Sequence, residues 1–242
     1  MTNHVLLNNV DHKDLKVVAA RSAKYGDSIQ FSATFFWEFR SIQADYPVFF
    51  RKDAESGAFT SVAVFGFEDN ENLFLSETGW RANYIPLTVQ RQPFLIGFQQ
   101  SAPSGGAGKE PVIHIDIDSP RVSDSEGEAL FLAHGGISPY LEQINSVLNT
   151  INEGYGVHQL FMQELVEHGL LESVALDIKL KDGSQNRLMG FYSINEDALA
   201  ELEGNVVASL HEKGFLLPIY MAMASLSNIR TLIDKKNARL KQ

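Results

Sequence analysis

The chain of 242 residues has no cysteine. Disulfides, thiolate metal sites and a cysteine nucleophile are therefore excluded. Positive charge is scarce too: 20 lysines and arginines face 30 aspartates and glutamates, a formal charge of −10. That balance repels polyphosphate backbones and anionic lipid over most of the surface, so nucleic acid is not expected as a partner. No apolar run reaches the ~20 residues of a membrane-spanning helix. The most apolar segment, Gly214 to Ile229, is interrupted by Pro218, Ser225, Ser227 and Asn228. It reads as a core helix, and no transmembrane segment is expected. The opening stretch "MTNHVLLNNVDHKDLKV" has neither the basic region nor the roughly 7–15-residue apolar run of a secretory signal, so the expected location is cytoplasmic.

Familiar catalytic punctuation is absent as well. There is no G-x-S-x-G elbow, Walker loop, G-x-G-x-x-G fingerprint or H-E-x-x-H pair, and no repeat of solenoid period. What is present is ordinary for a soluble globular protein, with 44% hydrophobic and 21% charged residues. The length suffices for one large domain or two lobes, either of which can bury a core.

The patterning predicts an α+β fold, mainly antiparallel sheet in the first half and helices plus a β-hairpin in the second. In Phe31 to Asp45 the stripe Phe31, Phe35, Phe39, Ile42 predicts a helix that stops before Pro47. "PVFFRKD" and "FTSVAVFGF" around "AESGA" predict a hairpin, followed by a short strand "NLFLS", a brief helix from Pro86 and an extended "PFLIGFQ". A single domain over 1–242 is expected, with the Gly/Ser-rich segment 101–109 a surface loop or, if the chain forms two lobes, the linker between a β-rich one, about 1–100, and an α+β one, about 110–242. Ser138 and Pro139 should start a helix interrupted at Gly154, with a second helix ending at Gly169. A hairpin turns at Asp182 and Gly183, Asn195 caps the next helix, and a last helical stretch breaks near Gly214 and Pro218.

One stretch invites a chemical reading. "EPVIHIDIDSPRV", Glu110 to Val122, places His114, Asp116 and Asp118 at alternate positions between Ile113, Ile115 and Ile117. On a strand these three share one face while the isoleucines face the core. His114 and Asp116, with a distant third ligand among His134, His158, His168 and His211, are the elements of a facial iron triad, and so of a metal-dependent oxygenase-like enzyme. The simpler expectation is the wet face of an antiparallel strand leading into a turn capped by Asp118 or Ser119. His168, beside Gly169, is expected to complement a helix end.

A second stretch, Gly79 to Phe94, gathers Trp80, Tyr84 and Arg91, residue types enriched where proteins grip partners. The two aromatics fit a core equally well. Asp116, Asp118 and Arg121 complete the candidate binding residues; no residue is assigned a catalytic role, and no cofactor is expected.

In order along the chain, "DHKDLKV", "ADYPVFF", "GFEDNENLFL", "GWRANYIP", "RQPF", "IDIDSPRV", "GEALF", "MGFYSINEDALAEL" and "SLHEKGFL" resemble the SapC family of bacterial proteins, over about His12 to Leu226. The resemblance implies an accessory protein. The family's name points to surface-layer or export-related relatives, and its usual gene neighbours are flavin-dependent halogenase-like proteins and TonB-dependent receptors. The expectation is a non-enzymatic accessory or binding protein acting on a peptide or protein partner, with homo-oligomerisation open. The alternatives are the His114–Asp116 oxygenase-like enzyme and a surface-layer structural component.

Overall fold

The first strands are short: β1 His4–Leu6, β2 Lys16–Val17 and β3 Phe31–Ala33. The computed structural model describes residues 2–100 and 109–240. The helix expected over 31–45 is replaced by β3, a 3-10 turn at Phe36–Glu38 and a single helical turn, α1 Phe39–Ile42. Phe31 and Ala33 pair with Val64 and Val62, so sheet pairing overrides the helical stripe of the local sequence. The hairpin forms as expected from β4 Val48–Lys52 and β5 Phe59–Val64, in the register Val48↔Ala63 to Lys52↔Phe59. β6 Leu75–Ser76 and β7 Gly79–Trp80 make a two-residue ribbon, followed by α2 Leu87–Gln90 just past Pro86. β8 Phe94–Gln100, β9 Lys109–Asp116, β10 Val122–Ser123 and β11 Glu128–Ala129 complete this half.

The Ser138 Oγ accepts a hydrogen bond from the Leu141 N–H and opens α3 Pro139–Glu167. This helix runs through Gly154, which was expected to break it. A helical glycine costs only about 1 kcal/mol, little against the continuous ladder and buried face of 29 residues. It ends at Gly169, whose φ of 63° lies in the left-handed region that closes helices. β12 Leu171–Lys179 and β13 Gln185–Ile194 form the expected hairpin. Asn195 Oδ1 accepts from the Ala198 N–H and caps α4 Glu196–Ala200. α5 Gly204–Glu212, α6 Leu216–Ser225 and α7 Asn228–Arg239 follow. The break at Gly214 is present, but Pro218 lies in the first turn of α6, where a missing N–H is harmless. Leu216–Arg239 is long and apolar enough in composition for a membrane span. It consists of two helices of 10 and 12 residues, each short of the ~20 a span requires.

Two interleaved units result: Met1–Asp27 with Val89–Gly154, and Ser28–Thr88 with Tyr155–Gln242. They do not follow the expected lobes of about 1–100 and 110–242. Of the expected linker, residues 101–108 lie outside the described residues; the strands on either side, β8 and β9, pair with each other inside the first unit. That unit holds the sheets β1-β9-β8 and β10-β2-β11. Its core is Val17, Phe94, Ile115, Leu130, Leu141, Ile144 and Leu148, the last three spaced along one face of α3. The second unit holds the antiparallel sheet β12-β13-β4-β5-β3 and the later helices, with Phe39, Phe50 and Phe161 packed edge to face. With 34% helix and 27% strand, antiparallel sheet first and helices later, the fold is α+β as expected.

Candidate functional site

In the second unit the 3-10 turn after β3 carries Glu38 into the interior. Its Oε2 accepts from the Thr34 hydroxyl at 3.2 Å and the Phe35 N–H at 3.1 Å; its Oε1 accepts from the Tyr84 hydroxyl and the Leu87 N–H, each at 2.8 Å. Trp80 Nε1 donates to the Tyr46 hydroxyl at 2.7 Å, and that hydroxyl donates to the Tyr84 carbonyl. Trp80 and Tyr84 thus meet on one internal network, with their polar ends turned inward. Burial pushes the Glu38 carboxyl above its ordinary range, against four hydrogen bonds that favour its charged form. Burial also raises the Tyr46 and Tyr84 phenols. A carboxylate offers about four acceptor positions, and those of Glu38 are filled by donors of the chain itself. The arrangement holds a loop in place and leaves no lone pair for a substrate proton.

His158 on α3 is buried among Phe35, Phe36, Trp37 and Phe161. Its Nδ1 accepts from the Phe36 N–H at 3.3 Å, so the proton is on Nε2, which faces the Ser61 hydroxyl at 3.4 Å. The Ser61 hydroxyl donates to the Thr34 carbonyl. In that tautomer His158 is a donor to Ser61 and not a base for it, so the pair is not an activated nucleophile. Burial lowers the His158 pKa to about 4. The folded value lies below the unfolded value of about 6.5, so this contribution to stability is complete above pH 6.5 and is lost as the pH falls towards 4. We expect urea unfolding to show a loss of about 3 kcal/mol across that window, and His158→Phe to flatten the dependence by close to one proton. Equal slopes in the two proteins would refute the buried neutral imidazole.

The first unit has its own buried ionic cluster. Asp27 and Arg121 are almost wholly inaccessible. Arg121 Nη2 donates to Asp27 Oδ1, and its Nη1 donates to the Val18 and Ala20 carbonyls at 3.0 and 2.9 Å. Arg21 Nη1 reaches the same Asp27 oxygen at 3.3 Å, and Asp27 Oδ2 accepts from the Ser22 N–H. Burial, then the neighbouring Arg121, lowers the Arg21 pKa. Arg121, a candidate binding residue from the sequence, is thus held as an internal strut. Arg91 is tied to β8, its Nη1 donating to the Phe94 carbonyl at 2.6 Å.

His114 and Asp116 share a face of β9, whereas Asp118 lies in the following turn and leaves that face. Ile115 is in the core, but Ile117 is exposed, because the strand ends at Asp116. Ser119, one of the two expected caps, accepts the Arg121 N–H on its Oγ at 3.3 Å, and Asp116 Oδ1, in place of Asp118, accepts from the Asn3 and Asp118 N–H groups. The His114 ring lies against Gly97 of β8, where an added Cβ would be 2.3 Å from the ring. Among the described residues no three histidine, aspartate or glutamate side chains gather so as to hold a metal ion.

The second unit also has a surface groove of about 420 Å³ between the tip of the β4–β5 hairpin and the end of α3. Phe59, Met162 and Val166 form its apolar floor, and Lys52, Gln159 and Glu167 its polar margin. Val166 is 52% exposed, and the Lys52 amine lies 5.6 Å from the Phe59 ring centre. Tyr155, Gln159, Met162 and Val166 follow one face of α3, so a helical stripe builds one wall. The sequence reading missed Glu38, Asp27, Arg21 and this groove. A lone carboxylate inside "FFWEFR" was the available signal for Glu38; the groove had none, since it joins a hairpin tip to a helix about 100 residues later in the chain.

Comparison with protein families matches residues 7–232 to the family described as SapC. No curated protein and no solved structure matches the chain.

Proposed function

The chain belongs to the SapC family, and from that premise we propose that it is a non-enzymatic accessory protein that binds a peptide or protein partner. The groove beside α3 carries this reading. Its volume lies in the range of about 300–1,000 Å³ typical of ligand sites, and it combines an apolar floor with few polar groups at the margin. Phe59 and Val166 offer apolar contact to a side chain, while Lys52 and Glu167 set direction by attracting opposite charges at two points. Trp80, Tyr84 and Arg121 then act by holding the fold and do not touch the partner. The accessory role alongside halogenase-like or TonB-dependent systems is part of the same proposal and rests on family membership.

The test is selection of displayed peptides on the full chain, counter-selected on Val166→Lys. Val166 is exposed, so the variant keeps its fold while its groove floor becomes charged. We expect enriched sequences with an apolar anchor and binding about tenfold or more weaker to the variant. Failure to enrich any sequence, or equal binding to both proteins, would overturn the reading.

A further inference from the structure

The two larger sheets have four edges, and three are blunted. β1 and β3 are three residues long. β12 is longer, but it carries Glu172, Asp177 and Lys179 and an irregular register between Val174 and Leu176. Short length, charge and bulges are the devices that keep an edge from pairing with another chain. β8 has none of them. Its seven residues, Phe-Leu-Ile-Gly-Phe-Gln-Gln, include no charge and no proline, and its register with β9 is regular from Phe94↔Ile115 to Gln100↔Lys109.

The ladder fixes which groups point outward. The N–H of Asp116 goes to the Pro93 carbonyl, while those of Leu7 and Ile117 join Ile113 and Asn3 on the β1 side. Alternation then turns Leu95, Gly97 and Gln99 towards β9, and Phe94, Ile96, Phe98 and Gln100 away from it. The outward groups of Phe94 are both used by Arg91, whose carbonyl takes the Phe94 N–H and whose guanidinium takes the Phe94 carbonyl. Among the described residues no hydrogen bond reaches the outward groups of Ile96 and Phe98, and the Phe98 side chain is 59% exposed.

We infer that β8 pairs antiparallel with β8 of a second copy of this chain, about a twofold axis through Gly97. In that register Ile96 of each copy lies opposite Phe98 of the other, and the outward N–H and C=O groups of these two residues satisfy one another across the axis. Ile96 and Phe98 are two apart and share a face, so each exposed phenylalanine is laid against the isoleucine of the other copy. Gly97 meets Gly97 with no side chain between the backbones, and Leu95 meets Gln99. Two proteins of charge −10 thereby meet along a strand with no charge of its own. Arg91 closes the edge at Phe94, which limits the open stretch at that end to what the symmetric register uses and favours a second copy over a long foreign strand. This inference is independent of the groove beside α3.

Sedimentation of the full chain over roughly 1–100 µM tests it. We expect twice the 26.9 kDa chain mass, and a monomer with unchanged circular dichroism for Phe98→Lys. Phe98→Pro removes the outward N–H from an edge position that tolerates proline and should act alike. Leu217→Lys, a charge at another exposed apolar side chain on α6, should leave the dimer intact. The Ile96 and Phe98 amides should exchange about tenfold or more slowly in the dimer than in the Phe98→Lys monomer. A wild-type monomer at the highest concentration overturns the inference. So does a dimer indifferent to both Phe98 variants, or a monomer whose β8 amides slow only when a foreign peptide is added.

Discussion

Asp27→Ala is expected to destabilise the protein by about 3–5 kcal/mol, measured as a shift of the urea unfolding midpoint at constant slope. The substitution leaves the guanidinium of Arg121, almost wholly buried, without its carboxylate, and removes the acceptor shared with Arg21 and with the Ser22 N–H. Two carbonyls still hold Arg121 Nη1, so the loss is one of charge compensation more than of geometry. Asp27→Asn separates the two. It keeps the shape and one oxygen but no charge, and should still lose most of the stability. Arg121→Met in the Asp27→Ala background should recover part of it, because the uncompensated charge goes too. A loss below about 1 kcal/mol for Asp27→Ala would mean that the cluster is solvated in solution and holds nothing together.

Glu38→Ala is expected to be nearly as damaging, at about 3 kcal/mol or more, since it strands the Phe35 and Leu87 N–H groups and the Thr34 and Tyr84 hydroxyls together. The order of effects discriminates between accounts. Glu38→Gln presents an amide NH₂ to two of those donors and should fall between Glu38→Ala and Tyr84→Phe, which removes one donor and should cost about 1 kcal/mol. Thermal unfolding followed by near-ultraviolet dichroism reads this order, because Trp80, Tyr46 and Tyr84 are all on the network. Glu38→Gln as stable as the parent would show that the carboxyl is not the saturated acceptor described.

Much of the element order is legible in the chain because turns and caps are local chemistry. Ser138 before Pro139, Asn195 before an acidic turn, Asp182–Gly183 between two apolar runs, and glycines at 169 and 214 each act through neighbours a few residues away. The failures share a different cause. The stripe Phe31, Phe35, Phe39 reads as a helix until β5, about 30 residues on, supplies the partners for β3. Gly154 looks like a break until the buried face of α3 is known to continue beyond it. Trp80 and Tyr84 suit a core and a contact surface alike, and Arg121 suits either a contact or a strut, because sequence gives a side chain's chemistry and not its direction.

By itself the sequence determined the family, the α+β class and the exclusion of thiol chemistry, since composition and ordered local motifs are properties of the chain read in order. Tertiary structure decided which charged groups are buried, how the two units interleave and where groove and open strand edge lie. Each of those depends on groups distant in sequence, Asp27 with Arg121, Glu38 with Tyr84, Phe59 with Val166, and only the folded backbone sets their separation.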